Sequence, residues 1–203
     1  AQLAAVFHDK IRFNQKVSAL AASDTSVSVT LANGEVQSFS EVILAVDGEA
    51  ARRLIPDIKL SEKKRTVSTV YFSAPQIPKS AQFVFLNGSG GGRINHVAFL
   101  SAVQPSYSRG GDGHLVSVNI LDINQVDPEL VLAELEAWGL FSVKGWKHLM
   151  TCPIPYAQPE EMWQGKGTTR LGRIILAGDY TQTASIEGAM QAGELAAWQV
   201  NSI

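Results

Sequence analysis

The sequence predicts an α/β (α+β) fold in which an antiparallel sheet is inserted into an α/β domain, and three observations point to it. Val42-Ile43-Leu44-Ala45-Val46 is a continuous apolar run, the pattern of a strand buried on both faces of a parallel sheet. Between residues 67 and 121, four strand-like segments are separated by Pro- or Gly-rich connections, which reads as an antiparallel sheet of roughly four strands. Residues 173–200 then return to a short apolar strand and a helix. An insertion explains this order more simply than two consecutive domains do. The boundaries it sets are 1–57, 58–165 and 166–203.

In chain order, Ile11 to Leu20 holds a strand around Val17. Val27, Val29 and Leu31 alternate with polar residues, Asn33-Gly34 follows, and Glu35 to Phe39 returns. Asn-Gly between alternating segments predicts a hairpin with both turn residues at positive φ. Glu49 to Leu54 reads as a helical turn or two, closed by Pro56. The strands of the inserted sheet are Val67 to Ser73, Gln82 to Leu86, Ile94 to Ala102 and His114 to Leu121. Asp127-Pro128 starts a helix through Trp138, with Pro at the first helical position and Leu130, Leu132 and Leu135 as its apolar positions. Lys144 to Gln164, rich in aromatic residues and proline, is expected to be extended. Arg173 to Ala177 is a strand, Gly178-Asp179 breaks it, and a helix runs from Ile186 to Val200.

Composition narrows the function. At 203 residues, 45% apolar and 18% charged, the chain can bury a proper core and belongs with globular rather than disordered sequences. A net charge of −2 gives no electrostatic footprint for nucleic acid or anionic lipid. With Cys152 alone, no intramolecular disulfide or thiolate zinc site can form, which fits a reducing, cytoplasmic setting. No run of about 18 apolar residues occurs. The opening Ala1-Gln2-Leu3-Ala4-Ala5-Val6-Phe7 lacks a basic segment and a cleavage site. The chain begins without Met, as though already inside a protein.

The chemistry concentrates at the C-terminal end. Ile174-Ile175-Leu176-Ala177-Gly178-Asp179-Tyr180 is followed by Ser185-Ile186-Glu187-Gly188-Ala189-Met190 and by Ala192-Gly193-Glu194-Leu195-Ala196-Ala197. In open α/β sheets ligands bind beyond the carboxyl ends of strands. Gly178 allows close approach of backbone to a ligand there, and Asp179 offers a carboxylate for polyol hydroxyls. The N-terminus of the next helix, at Ser185 to Gly188, presents N–H groups and a positive dipole end. Its small residues let it lie close to a sheet or a flat ligand. A buried strand–helix unit packed through small residues has the same pattern, so these residues alone leave both readings open.

This order (strand, Ala-Gly-acid, loop, Glu-Gly-Ala, Gly-x-x-Ala-Ala) resembles the C-terminal FAD motif of the flavin-containing amine oxidase superfamily, which includes the phytoene and carotene desaturases. The resemblance is collinear over nearly the whole chain. It is specific at the C-terminal motif and generic elsewhere. It implies a partial FAD-binding Rossmann-like domain with an inserted substrate domain, whose antiparallel sheet forms the floor of the substrate cavity. It implies FAD held non-covalently, with the Val17 backbone at the adenine end, Asp179 at the ribityl or phosphate region, the backbone near Ser185 and Ile186 at the isoalloxazine pyrimidine edge, and Gly178, Glu187 and Ala189 as further cofactor-binding residues. No side chain stands out as a catalytic acid or base.

The departures also matter. Neither the G-x-G-x-x-G βαβ unit nor its downstream ribose-binding acid occurs, so the chain is expected to be a truncation or one piece of a split protein, with the missing N-terminal Rossmann segment as its partner. Gly88-Ser89-Gly90-Gly91-Gly92-Arg93 reads as a flexible hairpin loop. Ala184 and Ser185 stand where the monoamine oxidase branch has a cage aromatic, and Thr151-Cys152-Pro153 does not match a flavin-tethering motif. Cys152 is expected to be a packed core thiol. The pattern leans to the desaturase branch and a bulky apolar substrate, with an amine as the alternative. A non-catalytic fragment or partner subunit, or a binding module with an unused site, stays open, as does peripheral membrane contact. The four scattered histidines show no metal-ligand spacing, and no G-x-S-x-G occurs. Lys59, Lys63, Lys64 and Arg65 read as a solvated loop. Trp138, Trp146, Tyr156 and Trp163 fit either a core or an apolar cavity.

Overall fold

The computed structural model describes residues 2–108, 113–121, 125–161 and 169–200. The first part of the chain forms α1 (Gln2–Ala5), β1 (Val17–Ala22), β2 (Val27–Leu31), β3 (Val36–Phe39), β4 (Val42–Leu44) and α2 (Gly48–Leu54). Next come β5 (Lys64–Ala74), β6 (Val84–Leu86), β7 (Ile94–Phe99), α3 (Leu100–Val103), β8 (His114–Leu121), α4 (Pro128–Ala137) and β9 (Lys147–Pro159). The chain closes with β10 (Arg170–Leu171), β11 (Ile174–Leu176) and α5 (Ile186–Val200). These elements form two compact units, Ala1–Lys63 with Pro159–Ile203, and Lys64–Gln158.

The discontinuous unit holds two three-stranded sheets. One is the antiparallel meander β1-β2-β3, and the other has the order β10-β11-β4. The turn between β2 and β3 differs from the two-residue form expected of Asn-Gly. Gly34 N–H donates to Leu31 O at 3.0 Å and Leu31 N–H to Glu35 O at 2.8 Å. Ala32, Asn33 and Gly34 therefore make a three-residue connection in which Gly34 alone takes positive φ, +88°.

β11 runs parallel to β4, with Ile174, Ile175 and Leu176 opposite Val42, Ile43 and Leu44. The parallel strand is present, but it is shorter than the apolar run and not covered on both faces. Ile43 is 42% exposed, while Leu44 packs with Val27, Ala51, Ile58, Ile174, Leu176 and Tyr180. On the other face, Ala196 of α5 packs on Ile175 and Ala177 and does not reach Ile43.

The inserted unit is a five-stranded sheet, order β6-β7-β8-β5-β9. Its fifth strand comes from the segment expected only to be extended. Pro153 and Pro155 lie within β9, a composition tolerated at a sheet edge because each Pro lacks a ladder donor. The core face carries Val70, Phe72, Val97, Phe99, Val116, Val118 and Ile120, all fully buried. Phe99 meets Phe141 edge-on at 5.3 Å, and Phe141 stacks on Trp146 at 5.8 Å. These geometries suit the ring quadrupoles.

α4 begins where the sequence places it. Asp127 accepts from the Glu129 N–H at 2.9 Å, and Pro128 opens the first turn. Its inward residues are Val131 and Leu135, whereas Leu130 is 53% exposed. The Gly88–Arg93 loop does join two paired strands, β6 and β7, but it is tied down rather than loose. Asn87 Nδ2 donates to Gly91 O and Ile94 O, and the Glu134 carboxylate on α4 accepts from the Arg93 and Ile94 N–H groups at 2.9 and 3.0 Å.

Candidate functional site

The parallel β4–β11 pair directs two carboxylates beyond the same sheet edge. Ala177 N–H donates to Leu44 O at 3.0 Å, extending the ladder by one step. Both strands then leave the sheet, β4 through Asp47 and β11 through Gly178 and Asp179. Asp47 caps α2, its Oδ1 accepting from the Ala50 N–H at 2.7 Å. Gly178 is extended, and a Cβ there would collide with the ring of Tyr180, which is buried. The absence of a side chain at Gly178 thus serves the packing of Tyr180.

Asp179 opens a short 3₁₀ turn to Thr181, closed by Thr181 N–H on Gly178 O at 2.9 Å. Burial lifts the Asp179 carboxyl above its usual range. The N–H groups of Tyr180 and of Asp179 itself oppose that shift, and the negative charge of Asp47 adds to it. Sequence reading passed over Asp47. The signal was available, because an apolar strand followed by Asp-Gly at a helix start repeats the pattern around Gly178-Asp179.

α5 starts at the same end of β11. Ser185 Oγ accepts from the Gly188 N–H at 3.0 Å, and Ser185 O accepts from the Ala189 N–H. The N–H groups of Ile186 and Glu187 precede the helical ladder and carry the positive end of the dipole. Gly188 is required here, since a Cβ would run into Thr183 O. Gly188, Ala192 and Ala196 form the buried face of α5, with Ala196 against Ile175 and Ala177. Ala189 and Gly193 are exposed beside Ile186, Met190 and Trp198, which are 84%, 67% and 66% exposed. The Glu187 carboxylate accepts from Gln191 Nε2 at 3.1 Å.

The structure therefore gathers Gly178, Asp179, Ser185, Ile186, Glu187 and Ala189 around the carboxyl end of β11. Val17 stands apart from them in the sequence of elements, at the head of β1 in the other sheet, opposite Leu31. Cys152 is half-buried on β9 instead of packed in a core. Trp146 belongs to the core, and Trp138 lines a cavity of about 470 Å³ beside the glycine loop. Tyr156 lies under Lys64 Nζ, 6.0 Å from the ring centroid. Trp163 and the end of its segment lie outside the described residues. Lys63 pairs with Glu161 at 2.7 Å, and Lys64 and Arg65 begin β5, so that basic stretch is not simply a loop. Among the described residues, no group of His, Cys, Asp and Glu could hold a metal ion, and no helix is long and apolar enough to cross a membrane.

The model of the flavin containing amine oxidoreductases matches residues 1–201. The chain belongs to that family. No curated protein matches its sequence. Solved structures do share its fold. A Pyrococcus furiosus protein aligns with TM-score 0.64 at 16% identity, covering 92% of this chain and 46% of its own. An Exiguobacterium protein named for protoporphyrinogen oxidase gives 0.58 at 16% identity, covering 93% and 48%. A putrescine oxidase double mutant gives 0.64 at 13%, covering 98% and 51%. The chain thus spans about half the length of these structures.

Proposed function

We propose that this chain is the C-terminal half of an FAD-dependent oxidoreductase that removes hydride from a carbon of a bulky apolar substrate, in the manner of a desaturase. The observation that carries the reading is the carboxylate of Asp179 at the end of a parallel strand, followed directly by the capped N-terminus of α5. The donor set suits FAD held without a covalent bond. Asp179 would accept from ribityl hydroxyls, and the Ile186 and Glu187 N–H groups would face the pyrimidine edge, where negative charge collects on reduction. The Val17 backbone would serve the adenine end. The bound flavin supplies the hydride acceptor, while these residues fix its position and polarise it.

The apolar surfaces support a partner segment. Ile43 on β4 and the Ala189–Gly193 face of α5 with Met190 and Trp198 offer a docking area for the N-terminal Rossmann segment that would bring the phosphate-binding turn. The family description itself favours a second reading, oxidation of an amine.

The test is spectroscopic. Extended by its N-terminal segment, the protein should be yellow, release FAD on denaturation, and bleach anaerobically with a polyprenoid. Bleaching by an amine alone would transfer the assignment to amine oxidation. A colourless protein that takes up no added FAD would end the oxidoreductase reading and leave a non-catalytic partner or an unused fold.

A further inference from the structure

The face of the inserted sheet turned away from its core carries one row of three linked polar side chains, flanked by rows whose polar members are Ser117 and Tyr71. Directly opposed residues of an antiparallel ladder share a face, so the registers fix the layout. One row reads Leu86, His96, Asn119, Thr69 across β6, β7, β8 and β5. The next reads Val84, Ala98, Ser117, Tyr71, and on the other side Leu121 faces Val67. Val84, Leu86 and Leu121 are 55%, 72% and 42% exposed. None of these ten positions holds Asp, Glu, Lys or Arg.

Strict alternation along β7 would turn His96 to the core side with Ile94. A register irregularity between Ile94 and His96 shifts the phase by one residue and turns the imidazole outward, the re-aiming that a β-bulge performs. Hydrogen bonds link the three polar members of the row. Thr69 Oγ1 donates to Asn119 Oδ1 at 2.9 Å, and Asn119 Nδ2 lies 3.0 Å from His96 Nε2. Asn95 Nδ2 lies 3.0 Å from His96 Nδ1, but a neutral imidazole accepts at one nitrogen alone, so with Nε2 accepting from Asn119 the proton sits on Nδ1 and the Asn95 contact is not a hydrogen bond. Burial holds His96 below its usual range, so it is neutral at pH 7. An amide has two N–H groups and two oxygen lone pairs. Asn119 thus keeps one of each beyond these bonds, and Thr69 keeps acceptor capacity.

We propose that Thr69, Asn119 and His96 form a recognition row for one uncharged oxygen function, a hydroxyl or a carbonyl, on an otherwise apolar substrate. This rests on the reading of the inserted unit as the substrate unit of a flavoprotein. It refines that reading chemically. A pure hydrocarbon leaves the row's spare hydrogen-bonding capacity unmet. An ammonium or carboxylate meets no counter-charge at any of the ten positions, Arg65 lying four residues along β5 from Thr69 at the end of the strand, and burying an ion at the row carries a desolvation penalty.

Binding of dodecane, dodecanol, dodecylamine and dodecanoate to the N-terminally extended protein, measured by calorimetry, tests the row. Dodecanol should bind most tightly. His96→Phe, Asn119→Leu and Thr69→Val should each cut its advantage over dodecane about fivefold, the equivalent of about 1 kcal/mol for one neutral hydrogen bond. His96→Gln, which keeps a donor and an acceptor, should preserve it. Tightest binding of the amine, the carboxylate or the alkane would overturn the proposal, as would no binding at all. So would an unchanged preference in variants whose melting temperature shows them folded. Flavin released from the same samples reports separately on the oxidoreductase reading.

Discussion

Asp179 carries opposing demands on one carboxyl group. Its surroundings disfavour the ionised form, because burial and the neighbouring Asp47 outweigh the two backbone N–H groups that favour it. The proposed bond to a ribityl hydroxyl is strongest with the ionised form as acceptor. The sign of the linkage follows. A carboxyl whose folded pKa lies above its ordinary 3.8 binds protons more readily in the fold than in the unfolded chain. Its ionisation therefore begins to reduce stability as pH rises past 3.8, and the reduction is complete once pH exceeds the folded value. Asp179→Asn should leave the melting temperature of the flavin-free chain unchanged at lower pH and raise it at neutral pH. The same change should weaken FAD binding by tenfold or more, about the loss of one hydrogen bond to a charged group. Thermal melts at two pH values and an FAD titration check both halves. A variant less stable at neutral pH would make Asp179 a structural group instead.

At the scale of elements, the two glycines of α5 have opposite environments. Gly188 packs against Thr183 O, which leaves no room for a methyl group, whereas nothing lies within 4 Å of a Cβ at Gly193. Gly188→Ala should destabilise the chain by about 1–3 kcal/mol through overpacking. Gly193→Ala should stabilise it by about 0.5–1 kcal/mol, the ordinary gain in a helix interior. Denaturant melts of both variants decide the point, and equal effects would mean that the tight approach at Thr183 is not what fixes the helix start. α5 was legible in the sequence because Ser185 at the cap position is followed by small residues at helical spacing from Ile186 onward. The β2–β3 hairpin was legible in place but not in turn type, since Asn-Gly also suits a three-residue loop with Gly alone at positive φ. β9 was hidden because its prolines argue against a strand unless the strand is known to be an edge. Leu130 was misplaced for a related reason: Val131 and Leu130 differ by one step of helical phase, which packing settles and composition does not. The shift at Asn95–His96 leaves no local sequence signal, so the polar row could not be read before the ladders were known.

For the whole molecule, the contrast lies between the cores of the two units. β5 and β8 pair over eight consecutive positions and bury all of one side but His114, whereas β4 and β11 pair over three with Ile43 and much of α5 uncovered. Local opening free energy follows buried apolar contact and ladder length. Amides of Val70, Phe72, Val116 and Val118 should therefore exchange slowest in hydrogen exchange. Those of Ile43, Ile175 and Leu176 should exchange at least about tenfold faster in the chain alone. A ligand that binds only the folded form adds stability by mass action, about 2.7 kcal/mol at a hundred times its Kd. Adding the proposed N-terminal segment and FAD should slow exchange in β4, β11 and α5 while leaving β5 and β8 little changed. Equal protection in both units of the chain alone would show one cooperative body. A gain confined to β5 and β8 would place the flavin against the inserted sheet and away from Asp179.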